Sequence, residues 1–297
     1  MKMRVCIITF GCKVNQYESN QIAKQYQDKG FDVVHRFVPD ADEYVVNTCA
    51  VTAMAEKKSR NATSRVMKVA DGKPVHICGC GNDRSLNKSL QCWATQPRKR
   101  AFIKCQDGCN NFCTYCVIPH LRGRSTSRDA SDIVAEIKAC GKPVVLTGID
   151  LSSYGKDNGS SLLELCVQVD KCGNKFELSS IEVGVITTEL LQALTKCENF
   201  IPKFHVPLQS GSDKVLRDMN RKYTSAEYLG AITKIKKYFP NAELSTDVIR
   251  GFPTETAQDY ELTLQLVESI GFCHVHYFPY SDRTALISSL QTANKPI

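Results

Sequence analysis

Long apolar runs are missing from this 297-residue chain: no stretch approaches the roughly 18 consecutive apolar residues of a membrane-spanning helix. The start, MKMRVCIITFGC, has a short apolar run before Gly11 but neither the apolar region nor the cleavage site of a secretory signal. Both absences predict a cytoplasmic protein. Low-complexity tracts are absent, and so is any repeat beyond an alternation of strand and helix. Strong charge of either sign is lacking too. A formal net charge of +7 suits a polyanionic partner as well as a plain solvated surface, and decides neither. At 42% hydrophobic, the chain can still bury a core large enough for one large or two ordinary domains. Cysteine is the residue in excess. Fifteen of them, an odd number without a secretion signal, argue against a disulfide framework and for metal binding or redox chemistry.

From residue 101 onward, apolar strands alternate with amphipathic helices. The strands are AFIK (101–104), PVVLTG (143–148), FELSSIE (176–182), KFHVPL (203–208), ELSTDVI (243–249) and FCHVHYF (272–278). Helices between them include SDIVAEIKACG, with apolar Ile133, Val134 and Ile137 and Gly141 past its end. Another is AQDYELTLQLVESIG, with Leu262, Leu266, Val267 and Ile270 before Gly271. Six such units predict parallel strands with right-handed crossovers in a partial (β/α)6 barrel, whose sites lie at the carboxyl ends of the strands.

The first hundred residues predict a separate open parallel α/β domain: strand 4–10, helix 15–30, strand 43–48, helix 53–70 and strand 74–78. Residues 84–100, polar and basic, form the linker, so the domains are 1–98 and 99–297. Cys12, Cys49 and Cys80 each follow the carboxyl end of a strand, and in such a sheet those ends share one edge. The topology therefore gathers three thiols distant in sequence. Cys78 is an alternative to Cys80, and burial as ordinary core cysteines is the competing reading.

The stretch CQDGCNNFCTYC places Cys109, Cys113 and Cys116 as C-x₃-C-x₂-C in the loop after the first barrel strand. Structural zinc takes four protein ligands, so a zinc site here needs Cys105 or His120 as well. A [4Fe–4S] cluster on three cysteines instead leaves one iron open to an outside ligand, and this tight spacing on a barrel rim favours that reading. Cys6, Cys92, Cys140, Cys166, Cys172, Cys197 and Cys273 read as packing.

This spacing, with Tyr115 before the last cysteine, resembles the radical S-adenosylmethionine (SAM) superfamily. TFGCKVNQYES, VVNTCAVT, Gly79–Cys80, CNNFCTYCVIPHLRGRSTSR, LTGIDLSSYG, HVPLQSGS, MNRKYT, TDVIRGFPTET and FPYS resemble, in order, its methylthiotransferase family over almost the whole chain. QDGCNNFCTYCVIPHLRGR is most similar to the MtaB branch, which methylthiolates N6-threonylcarbamoyladenosine beside the anticodon of tRNA, at position 37. The MiaB branch, acting on isopentenyladenosine, is the alternative, as is a truncated relative that binds clusters without transferring sulfur.

The resemblance implies two [4Fe–4S] clusters. One, on Cys109, Cys113 and Cys116, binds SAM and cleaves it to a 5′-deoxyadenosyl radical; the auxiliary one, on Cys12, Cys49 and Cys80, carries the sulfur. It further implies SAM contacts from Tyr115, from Thr147 and Gly148, where a small residue lets backbone approach, from Glu182, and from Gln209 and Ser210. His205 and Asp247 are the barrel's other polar groups, satisfied within it. Arg122, Arg124 and Arg128 make a basic surface for RNA phosphates, with Arg98, Lys99 and Arg100 beside it. An electron donor such as flavodoxin or ferredoxin is also implied. The chain departs from the family in three places. Only 28 residues separate Cys80 from Cys109, which implies a shortened first domain. No RNA-gripping TRAM domain follows FPYS before Ile297. Arg250 and Thr254 stand where the family has an apolar residue and glycine.

Overall fold

The computed structural model describes residues 2–80 and 99–293. Most of the 84–100 linker, Arg98 and Cys92 lie outside the described residues. In the N-terminal unit, β1 (Arg4–Thr9), a short β2 (Asp32–Val34), β3 (Glu43–Thr48) and β4 (Val75–Gly79) form a parallel sheet in the order β2-β1-β3-β4. Its strands are buried on both faces. Val5, Ile7 and Val45 pack with Ile22 and Tyr26 of helix α1 (Lys13–Asp28), while Cys6, Tyr44 and Val46 pack with Val66 and Ala70 of α2 (Ala53–Ala70). Strand β2, only three residues of which one is polar, has too short a pattern to be seen in the sequence.

In the second unit β5 (Ala101–Lys104), β8 (Val144–Thr147) and β9 (Phe176–Leu178) pair in parallel, as do β10 (Lys203–His205), β11 (Glu243–Arg250) and β12 (His274–Pro279). The bridges Phe176↔Phe200 and Ser180↔His205 join β9 to β10, so the six strands follow one another around the expected partial barrel. A two-residue antiparallel pair, β6 (Gln106–Asp107) with β7 (Thr126–Ser127), braces the loop after β5. Strands β8, β9 and β10 are shorter than their apolar runs, whereas β5 matches and β11 extends one residue further. Pro207 has no N–H to extend the β10 ladder, and the chain after β9 turns into a 3₁₀ segment at Val183–Val185.

One helix face also differs from expectation. On Ala257–Ile270 the side chains of Asp259, Thr263 and Ile270 are buried and Leu266 and Val267 pack against the same core as expected, but Leu262 is 47% exposed. The helix runs so close to Gly211 that a Cβ there would lie 2.6 Å from Thr263 Cα, leaving room for threonine but not for leucine. No helix among the described residues is long and apolar enough to cross a membrane.

Helix α1 belongs to both units. Beyond the sheet contacts of Ile22 and Tyr26, its Tyr17 packs on Phe102 and Val145, which face the inside of the barrel, opposite the helix-facing Ile103, Val144 and Leu146. Tyr17 Oη and Gln21 Nε2 each donate to the buried Glu136 carboxylate at 3.1 Å, and Arg128 Nη1 reaches the same group at 2.9 Å. This explains why α1 buries Asn15, Glu18, Asn20 and Gln21 beside its apolar residues. Glu136→Ala removes the buried acceptor shared by Tyr17, Gln21 and the partly buried Arg128 and is expected to cost about 3 kcal/mol, read as a lowered urea midpoint. Exposed Glu164→Ala should stay within about 0.5 kcal/mol of wild type.

Candidate functional site

The first thiol group is built by the carboxyl edge of the N-terminal sheet. Cys12 caps α1, Cys49 follows β3 and Cys80 follows β4. Asn15 ties these loops together: its Oδ1 lies 3.3 Å from Cys12 Sγ, and its Nδ2 donates to Asn47 Oδ1 and Thr48 O at 3.0 Å. Two glycines make the approach possible. At Gly11 (φ 101°) a Cβ would meet Asn15 Oδ1 at 2.6 Å and Cys49 Cβ at 3.0 Å; at Gly79 (φ 96°) it would meet Thr48 O at 2.4 Å. The Cys49 thiol donates to Cys80, which raises the pKa of Cys49 and lowers that of Cys80. Cys78 is excluded from the group, being buried in the sheet core with Val5, Ile7 and Val45.

The second group is the loop of Cys109, Cys113 and Cys116, on the barrel rim. The MNRKYT segment holds it: Thr114 N donates to Met219 O at 3.2 Å, Thr114 Oγ1 to Asp218 O at 3.0 Å, and Asn220 Nδ2 to Phe112 O at 3.0 Å. Burial pushes the Cys109 thiol up to about 11 and Cys116 up to about 12, so thiolates here need bound positive charge. Neither proposed fourth ligand for zinc is at hand. Cys105 points into the barrel core toward Ile103 O, and His120 packs edge-on against Phe112.

Single-ion binding by either triad is also disfavoured by spacing. Tetrahedral zinc with Zn–S near 2.3 Å brings its sulfurs to about 3.8 Å of each other. Among the described residues the one set of three His, Cys, Asp or Glu ligand atoms within 4.8 Å of one another is His205, Asp247 and His276, with no cysteine in it. Two spread groups of three thiols fit two clusters, each with one open position.

Beside Cys113 lies a cavity of about 330 Å3 lined by Asn111, Asp150, Ser153, Glu182 and Arg221 among others, within the usual range of small-molecule sites. Arg221 Nη1 donates to Cys113 Sγ at 3.4 Å, and Arg221 also pairs with Glu182. Burial raises the Glu182 pKa against the opposing pull of Arg221. Asp150 Oδ2 accepts from Asn111 Nδ2 and Ser153 Oγ, while its buried Oδ1 has no hydrogen-bond partner among the described residues. An orphaned carboxylate oxygen beside the cysteine loop suits the ammonium of an amino acid such as the methionine part of SAM. Sequence reasoning missed Asp150, Asn111 and Arg221, although Asp150 follows the carboxyl end of β8 and the strand-end rule could have found it.

Several expected site residues have other work. Gly148 is small because Gln106 fills its space, a Cβ there meeting Gln106 Oε1 at 2.8 Å, and not to admit a ligand. Thr147 is buried and its carbonyl accepts from Cys105 N. Ser210 is fully buried, accepting from Ser212 N and bonded to Thr263. Gln209, at φ 66°, bridges β11 through its backbone, with 2.8 Å to Asp247 O. Tyr115 packs beside Val215, Met219 and Phe252. Glu182 alone of these lines the cavity. His205 and Asp247 satisfy one another, Nε2 to Oδ2 at 3.1 Å.

The basic surface is likewise smaller than expected. Arg128 is held by Glu136, Lys104 O and Tyr17. Arg122 has a side chain 0% exposed; it bonds Glu18 through both terminal nitrogens at 2.9 and 3.1 Å, Asp107 at 3.0 Å, and Cys80 Sγ through Nε at 3.4 Å. Lys104 completes the network at 3.2 Å from both Glu18 and Asp107. Arg122 therefore links the first thiol group to the element that follows the second, and faces no RNA. Only Arg124 of the three is exposed, its guanidinium over the Phe112 ring.

The sequence profile of the radical SAM superfamily matches residues 103–267, and that of the uncharacterised family UPF0004 matches 4–95. The threonylcarbamoyladenosine tRNA methylthiotransferase MtaB of Chlamydia pneumoniae is 37% identical over 93% of this chain and 74% of its own length. The chain belongs to the radical SAM methylthiotransferases. MtaB of Thermotoga maritima is 34% identical over 98% of the chain and 78% of its own, and the tRNA-2-methylthio-N6-dimethylallyladenosine synthase of Acetivibrio thermocellus 30% over 95% and 71%. Among solved structures, the radical SAM methyltransferase TsrM from Kitasatospora setae superposes with a TM-score of 0.63 at 11% identity, over 100% of this chain and 80% of that one. The cobalamin-dependent radical SAM enzyme OxsB gives 0.60 at 8%, over 99% of this chain and 56% of that one. These two likenesses concern the fold. As a radical SAM methylthiotransferase the chain takes SAM and two [4Fe–4S] clusters as cofactors. Cys80→Ala is expected to lose about four irons on anaerobic reconstitution, whereas Cys78→Ala, altering only the sheet core, should retain about eight by iron analysis.

Proposed function

We propose that the protein converts N6-threonylcarbamoyladenosine at position 37 of tRNA to its 2-methylthio derivative. One observation carries this: two groups of three thiols, each without a fourth protein ligand among the described residues, lie on two units held together through Arg122, Glu18 and Asp107. The curated relatives named for this reaction, at 33–37% identity in Chlamydia pneumoniae, Thermotoga maritima, Aquifex aeolicus and Bacillus subtilis, support the choice of substrate.

When bound, the cofactors supply one-electron cleavage of SAM at the Cys109, Cys113 and Cys116 group and a transferable methylated sulfur at the Cys12, Cys49 and Cys80 group. The chain's own residues then have separable tasks. Asp150 and Glu182 hold the amino-acid end of SAM in the rim cavity, and Arg221 orients Glu182 while donating to Cys113. Tyr17 of α1 covers Phe102 and Val145 on the inner face of the first two barrel strands and keeps solvent from that part of the wall. Exposed Arg124 contacts RNA phosphate. A one-electron protein such as flavodoxin or ferredoxin supplies the electron, and a tRNA substrate places the reaction in the cytoplasm.

The test is nucleoside mass spectrometry after incubating reconstituted protein, SAM and reductant with tRNA carrying either N6-threonylcarbamoyladenosine or N6-isopentenyladenosine. Only the first should gain a methylthio group; modification of the second instead assigns the chain to the other branch. Cys113→Ala should abolish 5′-deoxyadenosine formation. Cys49→Ala should keep that product and lose methylthiolation, and a Cys49 variant that still modified tRNA would show that the auxiliary group lies elsewhere.

A further inference from the structure

The inner face of the last three barrel strands carries a polar cluster that neither thiol group uses. Strand β11 turns Leu244, Thr246 and Val248 outward to the helices, so Ser245, Asp247 and Ile249 face inward. In register beside them stand His205 on β10, opposite Ser245, and His274 and His276 on β12, opposite Ser245 and Asp247. The imidazoles are held in place. His205 Nδ1 meets Ser245 Oγ at 2.9 Å and its Nε2 meets Asp247, while His276 Nδ1 meets His274 Nε2 at 3.1 Å. Although part of a concave wall, His274 and His276 are exposed, so solvent reaches this face.

A fifth group arrives from the other unit. Lys13, the residue after Cys12, opens α1 one turn before Tyr17 and on the same helix face, the one that packs on Phe102 and Val145 of the inner barrel wall; from there it interacts electrostatically with Asp247 and His276. Among the described residues its ammonium has no hydrogen bond and no ion pair, since Asp247 is paired with His205 and the nearby Glu177 with Arg100. The cluster thus sets an unpaired cation and imidazole N–H donors next to the Cys12, Cys49 and Cys80 group, where the reacting base must come.

His205, Asp247 and His276 by themselves have the spacing of a divalent-cation site, but Lys13 presents a like charge to such an ion. An anion meets three ammonium protons and the imidazole donors of His274 and His276, while the one carboxylate of the cluster, Asp247, is engaged by His205 at 3.1 Å. We propose that Lys13, His274 and His276 bind the carboxylate of an amino-acid substituent on N6 of the substrate adenine. The proposal rests on the function given above and deepens it. A threonylcarbamoyl group carries that carboxylate, and an isopentenyl group has nothing for these donors to hold.

The test is fluorescence anisotropy of cluster-loaded protein with labelled anticodon stem-loops bearing N6-threonylcarbamoyladenosine or its carboxyl methyl ester. Wild type should bind the acid about tenfold more tightly than the ester. Lys13→Met and, separately, His276→Phe should each bring the ratio to within about twofold; His276 is remote from every cluster-ligating cysteine in sequence, so iron content checks that its variant is loaded. Equal affinities for acid and ester in wild type, or a ratio that survives both substitutions, would overturn the assignment. So would stoichiometric zinc held by loaded wild type and lost in His276→Phe, which would make the cluster a cation site. Failure of this inference and of the function are distinguishable: methylthiolation of the acid stem-loop without preference over the ester removes only the carboxylate contact, whereas methylthiolation of the isopentenyl stem-loop alone removes both.

Discussion

The buried Arg122 guanidinium is the constraint on which the arrangement depends. A fully desolvated cation is tolerable only with charged partners at hand, and its partners come from three places: Glu18 on α1, Asp107 after the first barrel strand, and Cys80 at the end of the N-terminal sheet. Asp107 is held at a pKa of about 2, burial being outweighed by Lys104 and Arg122. Because Glu18 would lose both its cations, and Arg122 its contacts with Glu18 and Cys80, if the units parted, the network holds their relative position. It thereby fixes the separation of the two thiol groups, and two centres that must act on one base need that separation to be constant.

The same economy of elements recurs elsewhere. Helix α1 carries Cys12, the first thiol of the N-terminal group, at its start and Lys13 directly after. It buries Tyr17 against the inner barrel strands and offers Glu18 to Arg122. A single helix thus sets one thiol group, part of the lumen lining and the contact between units. Its buried asparagines and glutamines, unusual for a surface helix, follow from having protein on both sides.

Much of this was legible in the sequence, because the signals were periodic or local. Six apolar runs separated by helices are enough to specify a partial barrel, and the strand-end rule brought Cys12, Cys49 and Cys80 to one edge. The arginines were misjudged for a physical reason: a basic residue in a loop next to a cluster looks the same whether it points to solvent or to Glu18, and the partner of Arg122 lies 104 residues away. Gly148 misled in the same way, since nothing local shows that Gln106 occupies the space beside it. Leu262 followed the helical period, but the close passage of Gly211 against Thr263 rotated the buried face. Asp150 and Arg221 were invisible as a pair because the cavity that unites them exists only after folding.

Iron content of the Arg122→Met variant, reconstituted anaerobically beside wild type, tests most directly whether this buried cation holds the two cluster sites in place. Wild type should hold about eight irons per chain. The variant, with Glu18 and Asp107 left to share Lys104 and Cys80 without the guanidinium N–H, should hold about four, retained by Cys109, Cys113 and Cys116. A variant that kept about eight irons would contradict the account, showing that the thiol edge of the N-terminal sheet is assembled without the arginine.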